Sequence, residues 1–263
     1  MHRLLLAVVA TAFATTAFAA ESETKPVAPV TLMLYDLRAI QAAPGKLDAL
    51  HGRLRDHQIP LLREHGIFTQ AVFVPAGENP HELVYLLTAA EGLGPMEEGW
   101  TGFRKDPKWL KNSEETDSDG PLVARERNQR LVKTYWSPQF KPEHAGEPRV
   151  FEMRTYTCPD PSKHAALLRR FHNHTMKLFE KYGMQNIVYW TPDEEPESQQ
   201  RLVYLLAHKS QEAAKESFNG FRADPDWLAE KKASEETAGG SLTTKENGVL
   251  SEFLVPAEYS PLR

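Results

Sequence analysis

The chain predicts an α+β fold in which two ferredoxin-like βαββαβ units meet face to face as one barrel, and three observations predict it. The nonapeptide GFRKDPKWL at 102–110 returns as GFRADPDWL at 220–228, with seven of nine letters kept and no gap. Shorter matches surround it in the same order: YDLR at 35–38 with FEMR at 151–154, HGI at 65–67 with YGM at 182–184, LVYLL at 83–87 and 202–206, and SEET at 113–116 and 234–237. Each half also runs through the same alternation of strand-period and helix-period segments. A four-stranded sheet with helices on one face leaves an apolar face bare, and a second copy covers it.

The elements follow in order. A first strand at 30–40 sets Leu32, Leu34, Asp36 and Arg38 on one side and Met33, Tyr35 and Leu37 on the other, and 150–154 repeats the alternation with Val150, Glu152 and Arg154 opposite Phe151 and Met153. Helices at 46–65 and 163–182 end at Gly66 and Gly183 in C-cap position. Next come a strand at 67–74 or 184–191, a turn at Pro75 or Pro192, the LVYLL strand, and a helical region carrying the nonapeptide. A last strand spans 122–133 or 242–255. The units are bounded at 30–138 and 148–261, with the Pro-, Gly- and charge-rich 139–147 as linker.

Residues 1–19 form a secretory signal: Arg3, an apolar stretch and the cleavage pattern Ala17-Phe18-Ala19. The three threonines Thr11, Thr15 and Thr16 keep this stretch from reading as a membrane span, no later stretch could span a bilayer, and a secreted or periplasmic protein is expected. Losing Arg3 takes the formal charge from −5 to −6, which with no basic cluster argues against nucleic acid or anionic membrane as partner. The single cysteine, Cys158, forms no internal disulfide and reads as a small buried residue.

Candidate site residues come from the repeats. Asp106-Pro107 and Asp224-Pro225 have the chemistry of a helix start, Asp capping and Pro at the first helical position. Trp109 and Trp227 then either fold back on Phe103 and Phe221 as packing or wall a ligand pocket. On the first helices, Leu47, Leu50, Leu54, His57, Leu61 and His164, Leu167, Phe171, His174, Leu178 form 3–4–3–4 stripes, which predict His57 and His174 facing the sheet. Each is either a core histidine with a backbone partner or a polar anchor or acid–base group. Arg38 with Asp36, and Arg154 with Glu152, are strand-spaced pairs that read as ion pairs or, under the first helix, as the polar end of a small-molecule pocket. Tyr85 and Tyr204 of the LVYLL strands complete the candidates. No catalytic residue can be assigned. No phosphate-binding, nucleophile-elbow, zinc-protease or paired-cysteine motif occurs, and His172 and His174 are badly spaced as metal ligands, so neither metal nor cofactor is expected.

The strands YDLR and FEMR, the PGK at 44–46, the helix ends HG and YG, LVYLL, and FRKDPKW with FRADPDW resemble the NIPSNAP family of the dimeric α/β-barrel superfamily, as two tandem domains. Asp160-Pro161-Ser162 in place of Pro44-Gly45, and Pro60 inside the first helix of the first copy alone, depart from a strict repeat. The resemblance implies a pocket between helices and sheet and no settled reaction, since related barrels include cofactor-free monooxygenases, isomerases and haem-binding enzymes. The expectation is an exported protein holding a small, partly apolar, anionic or aromatic ligand, with a homo-oligomer possible. The alternative is a non-catalytic interaction or scaffold module. Pro60 favours the second copy, around His174, as the undistorted pocket.

Overall fold

The computed structural model describes residues 32–142 and 149–263. The signal at 1–19, the start of the first strand at 30–31 and most of the linker at 139–147 lie outside the described residues. The first half runs β1 (Leu34–Ala42), α1 (Leu47–Arg53), a π turn (Leu54–Gln58), α2 (Ile59–Glu64), β2 (Phe68–Pro75), β3 (Leu83–Ala90), α3 (Leu93–Lys105), α4 (Pro107–Thr116) and β4 (Val123–Lys133). The second runs β5 (Val150–Thr157), α5 (Pro161–Arg170), a π turn (Phe171–Thr175), α6 (Met176–Lys181), β6 (Gln185–Pro192), β7 (Arg201–His208), α7 (Gln211–Ala223), α8 (Pro225–Thr237) and β8 (Val249–Pro256). The last strand begins later than the sequence predicts, because 241–248 turns before Val249 enters the sheet.

The eight strands form one closed antiparallel barrel in the order β1-β3-β2-β8-β5-β7-β6-β4, so closure occurs within a single chain. Two short joints close it: Phe73–Pro75 with Leu254–Pro256, and Leu131–Lys133 with Trp190–Pro192. Strand alternation divides the side chains. Tyr35, Phe73, Leu87, Phe151, Trp190 and Leu205 point inward and pack, with Phe73 and Phe151 ring centres 5.1 Å apart and Tyr35 and Trp190 5.6 Å apart. The barrel interior is therefore a core, while the opposite parity, with Leu34, Ile40 and Leu86 in one half and Leu202, Tyr204 and Leu206 in the other, meets the helices.

The register corrects one match. Ala39 stands opposite Tyr85, whereas the equivalent Thr155 stands opposite Val203, and Tyr204 stands opposite Arg154. The two LVYLL segments are thus out of phase by one residue, which in a strand turns every side chain to the other face. Tyr85 faces the interior and donates to Glu252 at 2.7 Å, while Tyr204 lies under the helices where Leu86 lies in the first half.

The helix stripes are corrected by the π turns. Each inserts one residue by an i→i+5 bond, Ile59 N–H to the Leu54 carbonyl and Met176 N–H to that of Phe171. The inward position moves one residue on, so Gln58 and Thr175 are buried, His57 is exposed and His174 is 40% exposed. Both halves carry the turn, although Lys177 stands where Pro60 does, so Pro60 is not its cause.

Candidate functional site

The repeated nonapeptide starts and packs a helix in both halves. Asp106 accepts from Lys108 N–H at 2.8 Å, and Asp224 accepts from Asp226 and Trp227 N–H at 2.8 and 3.2 Å, capping α4 and α8. The second carboxylate oxygen takes the ring of the residue before the helix-ending glycine: His65 Nε2 lies 2.9 Å from Asp106 Oδ2, and Tyr182 donates to Asp224 Oδ2 at 2.7 Å. A side chain at Gly102 or Gly220 would meet those rings at 2.8 or 2.7 Å, so glycine there lets the helices approach. Bonds from Lys181 and Tyr182 hold the Asp224 carboxyl well below its ordinary range. Trp109 and Trp227 stack back on Phe103 and Phe221 with ring centres 4.5 and 4.4 Å apart.

The strand pairs lie beneath the second helical region, not beside His57 or His174. Arg38 donates to Asp36 at 2.7 and 3.0 Å and also pairs with Glu126, and its guanidinium lies 3.6 Å from the Trp100 ring centre. Arg104 lies over the same ring at 5.8 Å. The second half repeats this with Arg154 and Arg222 on Phe218, at 4.6 and 5.8 Å. Their acids differ. Burial pushes the Asp36 carboxyl above its ordinary value, against Arg38 and Asn128 and with Glu126 adding repulsion. Burial likewise acts on Glu152, but His208 at 3.1 Å, Arg154 and Ser251 together outweigh it and hold that carboxyl below its ordinary value.

A cavity of about 180 Å³ opens in the first half between β1, α1, the π turn, α3 and α4. Ile40, Leu50 and Phe103 line it together with Trp100 and Trp109, and Arg38, Arg53 and Arg104 supply charge against Glu126. Arg53 is held by Asp117 at 2.8 Å, while Arg104 is exposed and has no ion pair among the described residues. Two buried donors in the lining, Trp100 Nε1 and Arg53 Nε, have no hydrogen-bond partner among the described residues. Such donors are costly unless something accepts from them.

The same place in the second half is filled. Strand register puts Tyr156 where Ile40 stands and Tyr204 where Leu86 stands, and the helix puts Phe171 where Leu54 stands. Tyr156, Tyr204 and Phe171 pack with ring centres 5.2 to 5.7 Å apart, and Tyr189 stacks on Tyr204 at 5.0 Å. This cavity thus belongs to the first half, where Arg38 and Trp109 of the predicted candidates line it and Asp36 anchors Arg38. It excludes His57, Tyr85 and the second-half candidates Arg154, Glu152, His174, Trp227 and Tyr204. His174 instead pairs with Glu230 at 3.2 Å on the helix surface.

Trp100, Arg53 and Arg104 were missed by the sequence reading. Gly102-Phe103-Arg104 and Gly220-Phe221-Arg222 offered a signal, since each arginine follows the packed phenylalanine in both copies. His208, at the end of β7 with no equivalent histidine, offered none. Cys158 is buried and its thiol is pushed up to about 12 by burial, as suits a core residue.

The NIPSNAP family model matches residues 151–261. Residues 151–261 are a NIPSNAP domain. No curated protein matches the sequence. Among solved structures, a candidate monooxygenase from Fusobacterium nucleatum superposes with a TM-score of 0.54 at 8% identity, covering 86% of this chain and 93% of its own. An anthrone oxidase-like protein gives 0.52 at 9% identity, over 86% and 92%. A NIPSNAP family protein of unknown function from Agrobacterium tumefaciens, 19% identical, covers 41% of this chain and 95% of its own with a TM-score of 0.34. The first two share the fold of the barrel.

Proposed function

We propose that the chain is a fusion of two ferredoxin-like, NIPSNAP-like units whose first half binds a small acid with a flat apolar body, and whose second half has given up that space to its own aromatic side chains. The observation that carries the reading is a cavity lined by Ile40, Leu50, Phe103, Trp100 and Trp109 and by Arg38, Arg53 and Arg104 against Glu126, in which Trp100 Nε1 and Arg53 Nε are buried donors without a partner among the described residues. A carboxylate entering past the exposed Arg104 supplies the missing acceptors, and its ring would lie against Trp100 and Trp109. The volume suits a single-ring acid and nothing much larger. We also propose that residues 1–19 direct export and are removed, and an intact mass of the protein recovered from outside the cytoplasm, starting at Ala20, tests that part.

The binding test uses benzoate, the uncharged benzyl alcohol and the chain itself, followed by calorimetry. Benzoate should bind one per chain and benzyl alcohol at least about tenfold more weakly, a difference of about 1.4 kcal/mol. Ile40→Tyr, which carries the second half's residue into the first, should abolish binding while the protein stays folded. Equal binding of acid and alcohol, or undiminished binding by Ile40→Tyr, would sink the reading.

A further inference from the structure

A larger cleft, about 470 Å³, lies on the other side of the second half's first helix, between α5 with its π turn and α8. Helix α8 buries none of its residues fully: Trp227 in its first turn packs inward, and Glu230, Ser234 and Glu235 are half-buried against α5 and the π turn. Its floor is small, at Ala166 and Ala233, and its polar lining is made of donors and hydroxyls, with Asn173, Ser162 and Thr237 around two arginines. Arg170 is 5% exposed. It donates to Ser234 Oγ at 3.2 Å and meets Glu235 only at 3.7 Å, and its Nε has no partner among the described residues. Arg169 is exposed and has no ion pair among the described residues. The remaining acid in the lining, Glu230, is taken by His174 at 3.2 Å.

Comparison with the first half separates this cleft from a mere gap. Counted from the π turns and from the starts of α4 and α8, Gly52 becomes Arg169, Asp56 becomes Asn173 and Glu115 becomes Ala233, so the SEET letters of the two halves stand three residues out of register. Each change moves the local charge in the positive direction, and the last also removes a side chain from the floor. The one opposite change, Asn112 to Glu230, sets an acid 3.2 Å from His174. A cation-lined cleft with hydroxyl and amide groups and no aromatic wall recognises charge and hydroxyl groups, not a flat ring.

We propose that the α5–α8 cleft is a second binding site, distinct from the cavity of the first half, for a compact hydroxyl-bearing oxyanion: a sugar acid or a phosphorylated sugar. Arg169 and Arg170 take the oxyanion, and Asn173, Ser162 and Thr237 take the hydroxyls. The proposal stands whether or not the first cavity binds an aromatic acid.

Calorimetry with gluconate, glucose 6-phosphate and neutral glucose on the full chain tests it. At least one of the two oxyanions should bind with a Kd of roughly 1 mM or tighter. Binding by gluconate alone assigns a carboxylate, by glucose 6-phosphate alone a phosphate, and by both a site indifferent between them. Arg169→Ala should weaken binding by about tenfold or more, Ala233→Trp should abolish it by filling the floor, and Ile40→Tyr in the other half should leave it unchanged. The two oxyanions both failing to bind at about 10 mM, glucose binding as well as they do, or wild-type binding by Arg169→Ala and Ala233→Trp would overturn the proposal.

Discussion

The two halves share one skeleton and differ in what fills it. Both place an arginine pair about an aromatic ring, Arg38 and Arg104 on Trp100 and Arg154 and Arg222 on Phe218, and both cap a helix with an aspartate that also binds the ring beside a glycine. Yet Ile40 lines a cavity where its counterpart Tyr156 packs against Phe171 and Tyr204. The acids differ too. Asp36 has one cation close by and a repelling neighbour in Glu126, whereas Glu152 has Arg154, His208 and Ser251. The difference teaches that a duplicated fold keeps the residues that hold helices on the sheet and varies the residues that decide whether anything else fits between them.

The largest effects should come from the buried groups. Arg38→Ala leaves Asp36 without its cation and should cost about 3–5 kcal/mol in urea unfolding, whereas Arg154→Ala leaves Glu152 with His208 and Ser251 and should cost clearly less. Equal costs would break the contrast between the acids. Tyr204→Ala should lose about 3–5 kcal/mol, since a fully buried ring is removed from a packed cluster.

The pH dependence should differ in sign. Glu152 has a depressed carboxyl, so its contribution is present above the unfolded value of about 4.3 and is lost as pH falls through its lower folded value. The stability gap between wild type and Glu152→Gln should therefore narrow on acidification. Asp36 is raised, so its contribution is fully present below the unfolded value of about 3.9 and is lost as pH rises through the folded one. Against Asp36→Asn, the wild type should gain on acidification over that window. Urea titrations at a series of pH values measure both, and gaps that move together would refute the assignment. Among the caps, Asp224→Ala should lower the melting temperature more than Asp106→Ala, because Asp224 also binds Lys181 at 2.6 Å. The smallest effect belongs to His174→Leu: half-exposed and paired only with Glu230, it should change stability by no more than about 0.5 kcal/mol.

Much of this was legible in the sequence. The element order, the Asp-Pro starts and the ring stacking of Trp109 and Trp227 follow from local chemistry that one chain segment contains. Three things were not. A π turn leaves the same letters as an α turn, so the stripes through His57 and His174 read as continuous while the fold inserts a residue and brings in Gln58 and Thr175. The LVYLL match was a coincidence of letters one residue out of register, which only strand pairing reveals. The cavity is a matter of volume left between Ile40, Leu50, Trp100 and Trp109, residues distant in sequence that meet only in the fold.

Whether the space between β1 and α3 takes an aromatic acid, while the matching space between β5 and α7 is closed by its own tyrosines, is decided by a crystal soaked in para-bromobenzoate and measured at the bromine edge. The account predicts a bromine peak between β1 and α3 beside Trp100 and Trp109, with the carboxylate within hydrogen-bonding distance of Arg104 or Arg53, and no peak between β5 and α7. A peak in the second half's aromatic cluster, or an empty first cavity in a crystal saturated with the acid, would contradict it.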